Sequence, residues 1–250
     1  MIEARGLTKR YGELLAVQDV SFEVGRGEVV GFLGPNGAGK TTIMRILTGF
    51  LPATDGTAVI AGHDIFEDPL AARRSVGYLP ESPPLYPEMD VASYLRYVAR
   101  LKDVPRARVR EAVDRAIERC GLHGVHRRVI GTLSKGYRQR VGVAQAIVHE
   151  PPVLILDEPT VGLDPIQIRE IRALIGELAS GGAEARQTVI LSTHILAEVE
   201  AICRRVILIH AGRKVLDGPL GELTQGGQRL EDVFTRVTLG AEGAAPEASA

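Results

Sequence analysis

The sequence predicts an α/β fold: a mainly parallel sheet, an antiparallel β part at the N-terminal end, and a helical lobe inserted into the chain. Three observations predict it. A glycine-rich stretch at 34–42, GPNGAGKTT, lies between a short β-branched run at 28–33 (EVVGFL) and a helical start at 43–47 (IMRIL), which is the order strand, loop, helix. Further apolar runs at 153–156 (VLIL) and 188–191 alternate with helical stretches, the pattern of parallel strands joined by crossover helices. From Asp90 the apolar period becomes helical, so residues 86–130 read as a mostly helical lobe inserted into the α/β chain.

Taken in order, residues 1–30 read as antiparallel strands joined by glycine turns. Val20, Phe22 and Val24 alternate with Asp19, Ser21 and Glu23, the period of a half-buried strand. After the glycine-rich loop and its helix, 51–56 (LPATDG) reads as a turn, 57–61 as a strand, 69–74 as a short helix and 75–79 (SVGYL) as a strand. Pro80, Pro83 and Pro84, around Glu81 and Ser82, make a stiff non-helical connector.

Asp90 is placed to cap a helix whose inner stripe is Val91, Tyr94, Leu95 and Val98. A second stripe, Val109, Ala112, Val113, Ala116, Ile117 and Cys120, is stopped by Gly121. Residues 133–136 open another helix that runs to about His149, which gives a helical subdomain at about 86–149. The run at 153–156 suits a central strand covered on both faces and ends in Asp157, Glu158, Pro159 and Thr160. A turn at 162–165 places Asp164 as N-cap and Pro165 at the first helical position. A helix to about Leu178, a Gly-rich loop, the strand 188–191 and then Ser192, Thr193 and His194 follow. One more helix and a hairpin, 206–209 with 214–216, finish a domain spanning 2–239. The last residues, 240–250 (GAEGAAPEASA), lack periodicity and bulk and predict a disordered tail.

With 250 residues, 45% of them hydrophobic, the chain buries a core without disulfide staples. Its formal net charge of −1 gives no global electrostatic attraction to nucleic acid or to an anionic surface. Cys120 and Cys203 are the two cysteines and show no metal or redox spacing, which points to a reducing cytosol and core packing. The N-terminal residues show no apolar signal region, and no window approaches the roughly 18 consecutive apolar residues of a membrane span. His123 and His126 have a spacing seen in metal sites, but no other ligand lies nearby, so they read as exposed loop histidines.

Gly34, Gly39, Lys40 and Thr41 fit the P-loop pattern with its four-residue gap. Pro35, Asn36, Gly37 and Ala38 complete the loop, whose amides point inward at a nucleotide phosphate at the positive end of the following helix. Lys40 reaches the β- and γ-phosphates, the Thr41 hydroxyl sits on Mg²⁺, and Thr42 extends the phosphate-binding turn. Asp157 and Glu158 then stand where ligands collect in open α/β sheets. Asp157 is the expected Mg²⁺ holder, and Glu158 the expected general base that polarises water. Tyr11, just before Gly12, either offers a ring face to an adenine or is a plain surface tyrosine.

Together these stretches resemble the ATPase subunit of ATP-binding-cassette (ABC) transporters. The likeness covers residues 2 to about 239 and rests on Tyr11, GPNGAGKTT at 34–42, LSKGYRQR at 133–140, LILDEPT at 154–160, GLDP at 162–165 and His194. It implies a P-loop NTPase core that hydrolyses ATP with Mg²⁺. It also implies that Tyr11 stacks on adenine, that Ser134 and Gly136 reach a γ-phosphate held by a second subunit, that Asp164 couples the two sites, and that His194 contacts the γ-phosphate and the catalytic water. Two positions depart from the family pattern: Lys135 and Tyr137 alter the usual LSGGQ signature, and Glu81 stands in place of a glutamine that senses Mg²⁺. A carboxylate at 81 can still ligate the metal, and Lys135 adds positive charge near the nucleotide.

YLPE at 78–81, LSKGYRQR and LEDVFTRVT at 230–238 are similar to one branch, the stand-alone ATPases of bacterial ABC-2-type exporters, including multidrug-like and gliding-motility-like systems. That likeness implies a dimer of cassettes, a separate transmembrane permease docked on the helical lobe, no nucleic-acid partner, and a place at the cytoplasmic face of the membrane. The competing readings are a soluble cassette protein acting on ribosomes or DNA repair and a nucleotide-binding regulatory module.

Overall fold

The computed structural model describes residues 1–180 and 187–242. Strands β1 (Ile2–Tyr11) and β2 (Leu14–Val24) form a hairpin, and β3 (Val29–Leu33) leads into α1 (Lys40–Leu47). Then come β4 (Asp55–Ile60), β5 (His63–Asp64), α2 (Pro69–Arg74) and β6 (Val76–Leu79). The lobe contributes α3 (Val91–Leu101), α4 (Val109–Arg119) and α5 (Lys135–Ile147), and the chain returns through β7 (Val153–Asp157), α6 (Pro165–Ser180) and β8 (Thr188–Thr193). It finishes with α7 (Leu196–Ile202), β9 (Arg205–His210), β10 (Arg213–Pro219), α8 (Leu220–Leu223) and α9 (Leu230–Glu242).

Two sheets result. One has the order β2-β1-β4-β5 and is antiparallel throughout. The other has the order β10-β9-β3-β8-β7-β6 and is parallel except for the β9–β10 hairpin. The parallel strands are apolar without interruption because both of their faces are covered. Val29 and Leu33 of β3, Leu154 and Leu156 of β7, and Val189 and Leu191 of β8 pack with the helical lobe and α6. The alternate residues Val30, Phe32, Val153, Ile155 and Ile190 pack with α1 and the antiparallel sheet. The two-residue period of a strand thus divides the molecule into two cores with the parallel sheet between them.

In the lobe, Asp90 Oδ1 accepts from Ser93 N at 2.9 Å and caps α3, and both expected stripes are buried. Gly121 terminates α4 with φ +62, a conformation that suits glycine. Cys120 and Cys203 are free and buried. Among the described residues, no helix is long and apolar enough to cross a membrane.

Several boundaries differ from the sequence reading. Helix α1 starts at Lys40 rather than Ile43, so the loop's own Lys-Thr-Thr forms the first turn. Strand β4 starts at Asp55, inside the expected turn, because Asp55 pairs with Thr8 of β1. Helix α6 runs two residues past Leu178, and β8 continues through Thr193 because Ser192 pairs with Asp157 and Thr193 with Leu33. Helix α9 runs through Glu242, so the first three residues of the expected tail, 240–242, are helical. Residues 243–250 of that tail, and 181–186 where the Gly-rich loop was expected, lie outside the described residues.

Candidate functional site

Register brings the chemistry together. Leu33 at the end of β3 lies opposite Thr193 of β8, and Ser192 lies opposite Asp157 of β7. Three neighbouring strands therefore release the P-loop, His194 and Glu158 at one edge. Between them is a cleft of about 600 Å³ lined by Asn36, Gly37, Ala38, Gly39, Lys40, Thr41, Thr42, Glu81, Glu158 and His194, with Ala16 and Val161.

The loop at the base of this cleft is built from close backbone approaches. A Cβ on Gly34 would stand 2.2 Å from the Ile209 carbonyl oxygen, and one on Gly39, whose φ is +103, would stand 2.7 Å from that of Ala16. Gly39 is the N-cap of α1 and supplies no side-chain cap, and the first turn carries no acidic residue. The amides there have no acceptor within the helix and face the cleft as an anion site. Lys40, 5% exposed, donates from Nζ to the carbonyls of Gly34 at 2.7 Å and Pro35 at 3.2 Å. Burial holds its ammonium below the usual lysine range, opposed by the charges of Glu158, Asp157 and Glu81.

Glu158 Oε1 lies 3.5 Å from Lys40 Nζ, and its Oε2 lies 3.0 Å from His194 Nδ1. The carboxylate is buried at 6% exposure, while the imidazole reaches solvent. One residue earlier, Asp157 is fully buried, and its Oδ1 accepts from Ser192 Oγ at 2.7 Å and Thr41 Oγ1 at 3.2 Å. Its Oδ2 is buried and has no hydrogen-bond donor among the described residues. A buried carboxylate oxygen without a donor is costly. The Asp157–Thr41 pair, all oxygen and next to the phosphate loop, suits a hard divalent cation such as Mg²⁺. Glu81 is exposed at the mouth of the cleft.

The remaining expected residues lie elsewhere. Tyr11 is exposed on the β1–β2 hairpin, with the Lys9 ammonium 5.4 Å from its ring centroid, and is not among the residues lining the cleft. Ser134 caps α5 by accepting from Tyr137 N, and with Gly136 it lines a separate hollow of about 290 Å³ beside Gln167 and Arg140. Lys135 is not among the residues lining the cleft of its own chain. Its Nζ rests on Gly162, 2.0 Å from where a Cβ would stand. Asp164 Oδ1 accepts from the amides of Ile166 and Gln167, both at 2.9 Å, and caps α6 as expected. His123 is exposed and His126 half-buried.

Besides Val161 in the cleft lining, four contributors are assigned no role from the sequence. Ala16 meets the P-loop through its carbonyl, which no side-chain pattern reveals. Ser192 orients Asp157, Gln139 donates from its buried amide to the Pro159 carbonyl at 2.8 Å, and Glu198 bonds the threonines that flank the site. A carboxylate on the buried face of α7, next to Val199, is the one signal that periodicity would have raised for Glu198.

A family model described as ABC transporter matches residues 17–161. The chain is 37% identical over 235 residues to an uncharacterized ABC transporter ATP-binding protein, YxlF, of Bacillus subtilis (strain 168), covering 94% of this chain and 76% of that protein. It is 36% identical over 229 residues to the bacitracin transport ATP-binding protein BcrA of Bacillus licheniformis, covering 92% and 73%. A solved ATP-binding subunit of an ABC transporter superposes with a TM-score of 0.84 at 30% identity, covering 95% of this chain and 99% of that one. With a phosphate-binding loop, a strand-end carboxylate pair and these relatives in agreement, the chain belongs to the ABC transporter family as one of its ATP-binding, ATP-hydrolysing subunits.

Proposed function

We propose that two copies of this chain close on two molecules of MgATP and drive a separate membrane permease of the exporter kind. The observation that carries the chemistry is the placement of Glu158, its carboxylate between the Lys40 ammonium at 3.5 Å and the His194 ring at 3.0 Å, on the wall of the phosphate cleft.

Each residue then has a task. The amides of Asn36, Gly37, Ala38 and Gly39 and of the first turn of α1 bind the phosphates, with Gly34 and Pro35 shaping the loop and Thr42 closing it. Lys40 holds the β- and γ-phosphate oxygens by charge. Glu158 accepts a proton from the attacking water, and His194 orients that water and the carboxylate. Thr41 and Asp157, with Glu81 at the mouth, would hold Mg²⁺, which when bound neutralises charge on the phosphate oxygens. Tyr11 offers its free ring face to adenine. Ser134, Lys135 and Gly136 of one chain meet the nucleotide of the other, with Asp164 coupling the two sites, because in one chain they lie outside the cleft.

Residues 2–239 act as the cassette and 86–149 as its helical subdomain, the face on which the permease docks. This places the chain at the cytoplasmic side of the membrane. The exporter reading rests on the transport relatives, one of them a bacitracin transport ATP-binding protein, and on the branch motifs at 78–81 and 230–238. Closure does work on the permease because ATP binds the closed pair more tightly than the open one.

Glu158→Gln is expected to retain ATP binding, lose turnover and accumulate a closed dimer, read by phosphate release and by sedimentation with MgATP. Turnover at the wild-type rate would reject the role of Glu158.

A further inference from the structure

Glu198 has no surface exposure at all, yet it carries a carboxylate. Such a group is costly inside a protein unless each oxygen is used. Here both are. Oε1 accepts from the Thr160 hydroxyl and lies 4.0 Å from Arg172 Nη2 of α6. Oε2 accepts from the Thr193 hydroxyl at 2.6 Å. One side chain on α7 is thereby fastened to the chain leaving β7 and to the chain ending β8.

These two chains carry the reacting pair. Thr160 is two residues past Glu158, and Thr193 immediately precedes His194. Glu158 has φ +49, a left-handed conformation that a non-glycine residue keeps only where its surroundings hold it. The turn is held by the Glu158 amide on the Ser192 carbonyl at 3.0 Å, by Gln139 on the Pro159 carbonyl, and by Thr160 on Glu198. On the other side, Thr193 Oγ1 also accepts from the Ile195 amide at 3.1 Å, so His194 stands between two tethered neighbours.

We propose that Glu198 is a positioning residue for ATP hydrolysis: it lies outside the phosphate cleft and sets the spacing of Glu158 and His194 by bonding Thr160 and Thr193 at once. This rests on the roles assigned to Glu158 and His194 above. Space filling alone would be served by an apolar side chain without the cost of a buried charge, whereas the two-armed carboxylate joins the two strand ends whose separation fixes a 3.0 Å contact.

The test is steady-state ATP hydrolysis by the full chain, with kcat and KM measured separately and folding followed by circular dichroism. Glu198→Gln should lower kcat about 10- to 100-fold, the scale of a small misplacement of catalytic groups, and leave KM for ATP within about threefold, since the phosphate loop is not tethered to Glu198. Thr193→Val should repeat the kcat loss, and Thr193→Ser, which keeps the hydroxyl, should restore most of it. That pair carries the test if Glu198→Gln does not fold. A folded Glu198→Gln with kcat within twofold of wild type, or equal kcat for Thr193→Val and Thr193→Ser, would each overturn the proposal. Wild-type turnover by Glu158→Gln alone would overturn the assignment on which it rests instead.

Discussion

Asp157→Asn is expected to make the protein more stable without nucleotide and less responsive to it. The side chain is fully buried, and its oxygens are unequal: Oδ1 accepts from Ser192 and Thr41, and Oδ2 has no donor among the described residues. Asparagine keeps the volume and the Oδ1 acceptor and removes the charge. A buried acceptor left without a donor costs about 1–3 kcal/mol. Part of any gain is returned, because Asp157 also helps to support the Lys40 ammonium and because the Nδ2 amide that replaces Oδ2 needs acceptors of its own. A net gain of about 1–2 kcal/mol, at about 2–4 °C per kcal/mol for a chain of this size, raises the thermal midpoint by about 2–8 °C in chelator. Wild-type protein at a hundredfold excess of ligand over Kd should gain about 2.7 kcal/mol from MgATP, and the variant should lose most of that shift. Differential scanning calorimetry, with EDTA and then with MgATP, measures both quantities. A lower midpoint in EDTA, or an undiminished Mg²⁺-dependent shift, would refute the reasoning about Oδ2.

The same change, glycine to alanine, should give different results at two positions. At Gly34 the new methyl meets the Ile209 carbonyl oxygen at 2.2 Å; backbone cannot swing aside, so a loss of about 3 kcal/mol in urea unfolding and weakened ATP binding are expected. At Gly162 the obstacle is the end of Lys135, which moves, leaving mainly the left-handed φ of +69 and a loss of about 1–2 kcal/mol. A further prediction concerns pH. Burial pushes the His149 imidazole down to about 4 from 6.5, while its Nε2 faces the Val76 carbonyl. The unfolded chain therefore binds the extra proton first, and the stability owed to neutral His149 is present above pH 6.5 and lost as pH falls toward 4. That loss amounts to about 2 kcal/mol between pH 7 and 5. Urea titrations of wild type and His149→Gln should converge by that amount over this range, and a constant difference would count against a neutral buried His149.

What the sequence disclosed was local, and what it hid was brought together by tertiary pairing. GPNGAGKTT announced its conformation because glycine spacing and the Lys-Thr pair act within nine residues, and the lobe was legible because its two apolar stripes are long enough to show a helical period. The Asp-Glu pair was legible through its place at the end of a continuously apolar strand. The resting place of the Lys135 ammonium was not legible, because it depends on the turn at Gly162, 27 positions later. The start of β4 at Asp55 depends on Thr8, and the helical state of 240–242 goes against a composition of small residues. Glu198 acquires its meaning only when β7, β8 and α7 lie side by side, since its partners are 38 and 5 residues away.

The arrangement also bears on why one chain should need another. Strands β3, β8 and β7 are adjacent and in register, so the P-loop, His194 and Glu158 are gathered at a single edge. Ser134 and Gly136 start a helix whose amides suit an anion, but that helix opens onto a different hollow, shared with Gln167 and Arg140. Between the two places runs the turn from Glu158 to Asp164. It is held at Pro159 by Gln139 of α5, at Thr160 by Glu198, and at Gly162 by the Lys135 side chain resting on it. A second chain that seats its own nucleotide against Ser134 would press on the helix carrying Gln139, and Gln139 bonds the residue directly after Glu158. In the proposed clamp, then, the contact that completes one site bears mechanically on the carboxylate of the other. Hydrolysis by an isolated chain would lack both the missing phosphate contact and that pressure.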